Sequence, residues 1–91
     1  MKVISLKQTC EACPSQWEGT LEDGRMIYIR YRGGSLTADV SKMATDIIGD
    51  AINGVCIYEE IIGDNMDGFM TTSRMVAYLG GVLDFRFIKE V

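Results

Sequence analysis

The dipeptide Asp23-Gly24 constrains this chain more than any other feature. It separates two alternating runs, Gln16 to Glu22 and Arg25 to Arg32. A two-residue Asp-Gly link between such runs specifies a β-hairpin. The short loop also predicts the register. Glu22 is expected opposite Arg25, Leu21 opposite Met26, Gly19 opposite Tyr28 and Trp17 opposite Arg30. Opposed residues share a face. One face then carries Trp17, Gly19, Leu21, Met26, Tyr28 and Arg30, with Arg32 beyond. The other carries Gln16, Glu18, Thr20, Glu22, Arg25, Ile27, Ile29 and Tyr31.

The first face sets an indole and a phenol beside guanidiniums. Aromatic rings stack planar groups, and Arg forks onto phosphate or carboxylate. Trp17, Arg25, Tyr28, Arg30 and Arg32 are therefore the candidate ligand-binding residues. The same pattern also fits a core, in which Trp17 and Tyr28 are buried and Arg30 stacks on Trp17 with no ligand. The second face is partly apolar too, so alternation alone leaves open which side is inside.

The rest of the chain supplies partners for the hairpin. Val3 to Lys7 alternates and reads as a short strand, followed by a turn over Gln8 to Ser15. Leu36 to Val40 reads as a third hairpin partner. Ser41 is an expected N-cap, with Met43, Ile47, Ile48, Ala51 and Ile52 on one helical face and Asn53-Gly54 as the stop. Gly49 weakens that helix by about 1 kcal/mol, and a coil-rich segment is the alternative. Val55 to Ile62 reads as a strand and Gly63 to Gly68 as a polar loop. Thr71 or Thr72 caps a second helix through Leu79, with Met75, Val76 and Leu79 inward. Val82 to Ile88 alternates, with Leu83, Phe85 and Phe87 on one side. The expected fold is a single α+β domain over 1–91: a small antiparallel sheet with an N-terminal hairpin and two short helices packed on one face.

Composition narrows the function. Hydrophobic residues make up 47% of the chain, which is too rich for disorder. A net charge of −4 argues against general nucleic-acid binding, and is too weak for a dense carboxylate mimic of DNA. No segment approaches the ~20 apolar residues of a membrane span. The first residues turn polar too soon for a signal peptide. A reducing cytoplasm is the expected location, in keeping with an odd number of cysteines.

Most catalytic and metal chemistries lack their residues. Cys10-x-x-Cys13 has the spacing of half a zinc site, but the chain has no His and only Cys56 besides. The same pair stands beside a hairpin and not in the βαβ context of a redox motif, so buried thiols closing a turn are expected. Gly63 to Thr71 has the outline of a calcium loop. Aligned on Gly68, however, its first ligand is missing and Arg74 stands where a bidentate Glu belongs. Without His no Ser–His or Cys–His pair forms. Glu59 and Glu60 are adjacent on a strand and point to opposite faces. No cofactor, no metal and no catalytic residues are expected.

Cys13-Pro14-Ser15-Gln16-Trp17-Glu18-Gly19, Asp23-Gly24-Arg25 and Tyr28-Ile29-Arg30-Tyr31-Arg32 together resemble a group of small, uncharacterised proteins of bacteriophages and prophages. The resemblance continues at Ile62-Gly63-Asp64 and Asp67-Gly68-Phe69-Met70 and covers about half the chain. It brings no activity and no functional residues with it. It implies a setting, in which small acidic phage proteins act on host or defence components.

Two functions are expected from these features. The first is a non-enzymatic phage accessory protein that counters host defence by sequestering an anionic nucleotide-type signal. Trp17 and Tyr28 would stack and the three arginines would hold charge, in a homo-oligomer with the site between subunits. The alternative is a protein-binding inhibitor or assembly factor. Its acidic loop Asp64 to Asp67 and carboxylates Glu59 and Glu60 would contact a basic partner. A sheet edge, or Leu83-Phe85-Phe87, is the expected subunit interface.

Overall fold

The hairpin forms one residue out of the expected register. In the computed structural model, which describes residues 1–88, its strands are β2 (Ser15–Leu21) and β3 (Met26–Arg32). The remaining end of the expected domain, 89–91, lies outside the described residues. Thr20 pairs with Met26, Gly19 with Ile27, Glu18 with Tyr28, Trp17 with Ile29 and Gln16 with Arg30. The cause lies in the turn. The Leu21 N–H donates to the Arg25 carbonyl at 2.8 Å and the Gly24 N–H to the Leu21 carbonyl at 3.0 Å. The loop is therefore Glu22-Asp23-Gly24, a turn followed by Gly24 at φ 90° in the left-handed region. The Asp23 carboxylate accepts the Arg25 N–H at 3.1 Å. A two-residue loop would have given that donor to the Glu22 carbonyl.

A slip of one residue moves a whole strand face. Trp17 now shares its side with Ile27, Ile29 and Tyr31, all essentially buried. Tyr28, Arg30 and Arg32 share the opposite side with Gln16, Glu18 and Thr20. The expected grouping of Trp17 with Tyr28 and Arg30 on one face is thus corrected.

Two further strands and an N-terminal one complete a five-stranded antiparallel sheet in chain order. They are β1 (Val3–Cys10), β4 (Ser35–Val40) and β5 (Val55–Ile61). Strand β1 runs past the expected Lys7 because Gln8 and Cys10 still pair, with Trp17 and Gln16. Every irregularity of register leaves its extra residue on an outer strand: Ile4 and Thr9 in β1, Ile57 in β5. Bulges at edges twist them away from stray pairing.

Helix α1 (Ile48–Ile52) is much shorter than the expected helix from Ser41. Ser41 is spent on the sheet: its Oγ accepts from Met26 N–H at 3.0 Å and donates to the Met43 carbonyl at 2.8 Å. The Thr45 N–H goes to the Gly24 carbonyl at the hairpin tip. Met43 and Ile47 are accordingly exposed. Helix α2 (Thr72–Leu79) starts where expected, with Thr71 Oγ1 accepting from the Arg74 N–H at 3.2 Å. Its Met75 and Leu79 join Trp17, Leu21, Ile27, Ile29, Tyr31, Leu36 and Val40 in the main core. Helix α1 lies against β3 and β4, and its buried Ala51, like Tyr28, stands outside that cluster.

The expected strand over Val82 to Ile88 is not formed. Asp84 accepts from the Arg86 N–H at 3.0 Å and grips its guanidinium at 2.7 Å, so the segment turns on itself. Its one ladder contact is a parallel bridge between Lys2 and Asp84. Leu83 is buried, while Phe87 is exposed.

The turn before β2 and the loop before α2 lock together. The Cys13 and Ser15 N–H groups both donate to the Gly68 carbonyl at 2.9 Å. Ser15 Oγ accepts from the Met70 N–H at 3.0 Å and lies against the Glu11 and Gly68 carbonyls. Tyr31 donates its hydroxyl to Asp67 Oδ2 at 2.6 Å, and a side chain at Gly63 would collide with both groups.

Ser15→Ala removes the acceptor of a buried N–H, and is expected to lower stability by about 1–3 kcal/mol in urea unfolding. An unchanged midpoint would show that the clamp carries no stability. A second expectation concerns alkaline pH. Burial and the bond to Asp67 push the Tyr31 phenol up to about 12. The bond to Glu60, and then burial, push Tyr58 up to about 12. The unfolded chain releases these protons near pH ~10. The folded state then holds the extra protons. Their stabilisation is complete below that pH and is lost as pH rises toward the folded values. Denaturant midpoints should fall over this window, and the fall should be shallower in Tyr31→Phe.

Candidate functional site

The expected ligand-binding residues do not form one surface. Trp17 is fully buried, and its Nε1–H donates to Thr72 Oγ1 at 2.9 Å across the core. Arg25 lies at the hairpin tip, where its Nε meets Asp23 Oδ2 at 2.7 Å. The Arg25 N–H, and after it that side-chain contact, hold the Asp23 carboxyl below the usual range. Tyr28, Arg30 and Arg32 do come together, at alternate positions of β3 on the face opposite Trp17. The Tyr28 hydroxyl accepts from Gln16 Nε2 at 2.8 Å. Among the described residues neither Arg30 nor Arg32 forms an ion pair.

The pairing of the strands gives the composition of that face. One row across the sheet reads Lys7, Glu18, Tyr28, Asp39 and Cys56. The next reads Cys10, Gln16, Arg30, Thr37 and Glu59. Arg32, Ser35 and Ile61 follow. Lys7, Arg30 and Arg32 are thus interleaved with Glu18, Asp39 and Glu59. The local field is balanced instead of cationic, and a carboxylate stands on each side of Tyr28. An anion approaching Tyr28 meets repulsion that the hairpin read by itself did not reveal.

The outer strand β5 offers a different surface. Ile61 is 81% exposed and Val55 51% exposed, which is high for apolar strand residues. Beside Ile61 runs an open groove of about 710 Å³ lined by Gly33, Ser35, Glu59, Glu60, Ile61, Gly63 and Asn65. Among the described residues its lining holds two carboxylates and no cation. Glu59 pairs with Thr37 and Glu60 with Leu36, so the two carboxylates do lie on opposite faces. The sequence pattern marked both of them but missed Ile61. Val55 to Ile62 reads as an ordinary apolar strand, and only its place at the end of the sheet order leaves Ile61 uncovered.

The cysteines and the polar loop are placed by packing. Cys10 is half-buried and Cys13 and Cys56 are exposed, all as free thiols, so the expected burial of the first pair is only partial. Burial and the neighbouring carboxylates Asp39 and Glu59 push the Cys56 thiol up, against a bond from the Tyr58 backbone that lowers it. Among the described residues no group of three or more Cys, Asp or Glu could hold a metal ion. In the loop, Asp64 caps the Met66 N–H at 2.9 Å and Asp67 is taken by Tyr31. No helix among the described residues is long and apolar enough to cross a membrane.

Trp17 is the only tryptophan, so its environment is directly measurable. Its emission should be blue-shifted in the native state and resistant to acrylamide, and both properties should be lost in urea. A native spectrum like that of free tryptophan would restore the expected register. No protein-family model, curated protein or solved structure matches the chain.

Proposed function

We propose that this is a non-enzymatic binding protein, a phage accessory factor that counters a host defence by docking onto a basic host or phage protein inside the host cell. The observation that carries this reading is the outer edge of β5, where exposed Ile61 stands beside Glu59 and Glu60. An apolar residue rimmed by carboxylates suits a basic protein surface. The net charge of −4 would speed such an encounter. The phage setting rests on the motif resemblance. The absence of catalysis rests on chemistry: with no His in the chain, the buried hydroxyls of Ser15 and Ser41 are bonded to backbone groups and not to a base.

A second reading, sequestration of an anionic nucleotide, is favoured by Arg30 and Arg32 beside Tyr28 without ion pairs among the described residues. Trp17 takes no part in it. A single sheet face buries little of a ligand, so this site would be closed by a second copy of the chain.

One pair of measurements separates the two. Tagged protein recovered from host lysate is expected to carry a stoichiometric protein that is released by salt. Calorimetry of the purified, folded, ligand-free protein with cyclic and ADP-ribose-type nucleotides is expected to give no heat. Heat with a nucleotide and no captured protein would reverse the order of the readings.

A further inference from the structure

We infer that the partner docks by strand addition, laying an extended segment with two consecutive basic residues along β5. This rests on the protein-binding reading above and specifies its geometry. Strand β5 is the last in the sheet, so one side of its backbone has no strand partner among the described residues. The stretch Tyr58 to Ile61 lies beyond the bulge at Ile57 and pairs regularly with Ser35 to Ala38. A regular bare edge is the template that extended peptides use. The opposite edge is less suited. Strand β1 is bulged twice, and its start is covered by the 82–88 segment, where the Val3 N–H donates to the Asp84 carbonyl and the Asp84 N–H to the Met1 carbonyl.

The side chains along β5 set the chemistry of the incoming strand. Glu59 lies on the open face, Glu60 on the other, and Ile61 on the open face again. An added strand alternates in the same way. Residues opposite Glu59 and Glu60 therefore project to different faces and are each best filled by Lys or Arg, with an aliphatic residue next, opposite Ile61. The adjoining groove supplies room for one cationic side chain between the carboxylates and the Gly63–Asn65 wall. A second copy of this chain is a poor occupant. Antiparallel self-pairing centred on Glu59 or on Glu60, the middle of the regular stretch, would set that carboxylate directly opposite its own copy.

The probe is a capped peptide, Thr-Val-Lys-Arg-Val-Thr-Gly, set against its counterpart with Glu-Glu for Lys-Arg. Backbone amide exchange is followed on the intact protein. The basic peptide is expected to slow exchange within 58–61 by about tenfold or more, and the acidic one to leave it unchanged. The E59K/E60K variant, checked for an unaltered melting curve, should lose the effect. Glu18→Lys on the open face should keep it. No slowing with the basic peptide, or equal slowing with both, overturns the inference. A protein captured from lysate that still binds E59K/E60K overturns strand addition while the binding reading stands. Failure to capture any protein overturns both.

Discussion

The arrangement of this protein depends on one carboxylate. Asp23 takes the Arg25 amide and guanidinium, and the hairpin closes over Glu22-Asp23-Gly24 instead of over two residues. Side chains alternate along a strand, so a single-residue change in the loop exchanges the faces of the following strand. Ile27, Ile29 and Tyr31 turn inward to join Trp17, and Tyr28, Arg30 and Arg32 turn to the opposite face, on which Tyr28 is itself buried. Apolar burial favours the same outcome. The alternative would expose Ile27 and Ile29, each worth about 1.5–3 kcal/mol when buried. Local turn chemistry and core formation therefore agree, and such agreement is what selects one register over its neighbour.

The motif that begins at Cys13 and continues at Ile62 to Met70 acquires a structural meaning in this light. Cys13 to Ser15 and Gly63 to Met70 are far apart in the chain but meet through the Gly68 carbonyl, the Ser15 hydroxyl and the Tyr31–Asp67 bond. Few of these groups face solvent with chemistry to spare. Their spacing serves the clamp that holds the loop before α2 onto the sheet. A motif rich in Cys, Trp, Tyr and Gly can thus mark a scaffold, with binding left to residues outside it.

The surface divides by electrostatics. The face that bears Tyr28 mixes Lys7, Arg30 and Arg32 with Glu18, Asp39 and Glu59, and such interleaving keeps a sheet surface soluble without creating a strong field. Among the described residues the groove at Glu59 to Ile61 is lined by no cation, and the edge exposes a large aliphatic residue. Both outer strands carry bulges, yet Tyr58 to Ile61 remains regular. An edge left regular and apolar beside charges is an exposure that folding alone does not require.

Much was legible from local chemistry. The strands of the hairpin, the Leu36 to Val40 and Val55 to Ile61 strands, and a helix capped by Thr71 all follow from alternation, β-branched content and capping, which act over a few residues. The opposite orientation of Glu59 and Glu60 follows in the same way. Where the pattern failed, a polar side chain had taken another partner, a distant strand for Ser41 and a residue two positions on for Asp84 and Asp23. Ser41 bonds Met26 instead of capping a helix, Asp84 folds Arg86 back and ends the last alternating run, and Asp23 shifts the hairpin by one. The sequence by itself determined most of the extended segments and which side chains carry charge, because those depend largely on near neighbours. Only the tertiary structure decided that Trp17 is core, that Tyr28 stands among carboxylates and that Ile61 is bare. Burial and sheet order are properties of the whole assembly, and no short stretch of chain contains them.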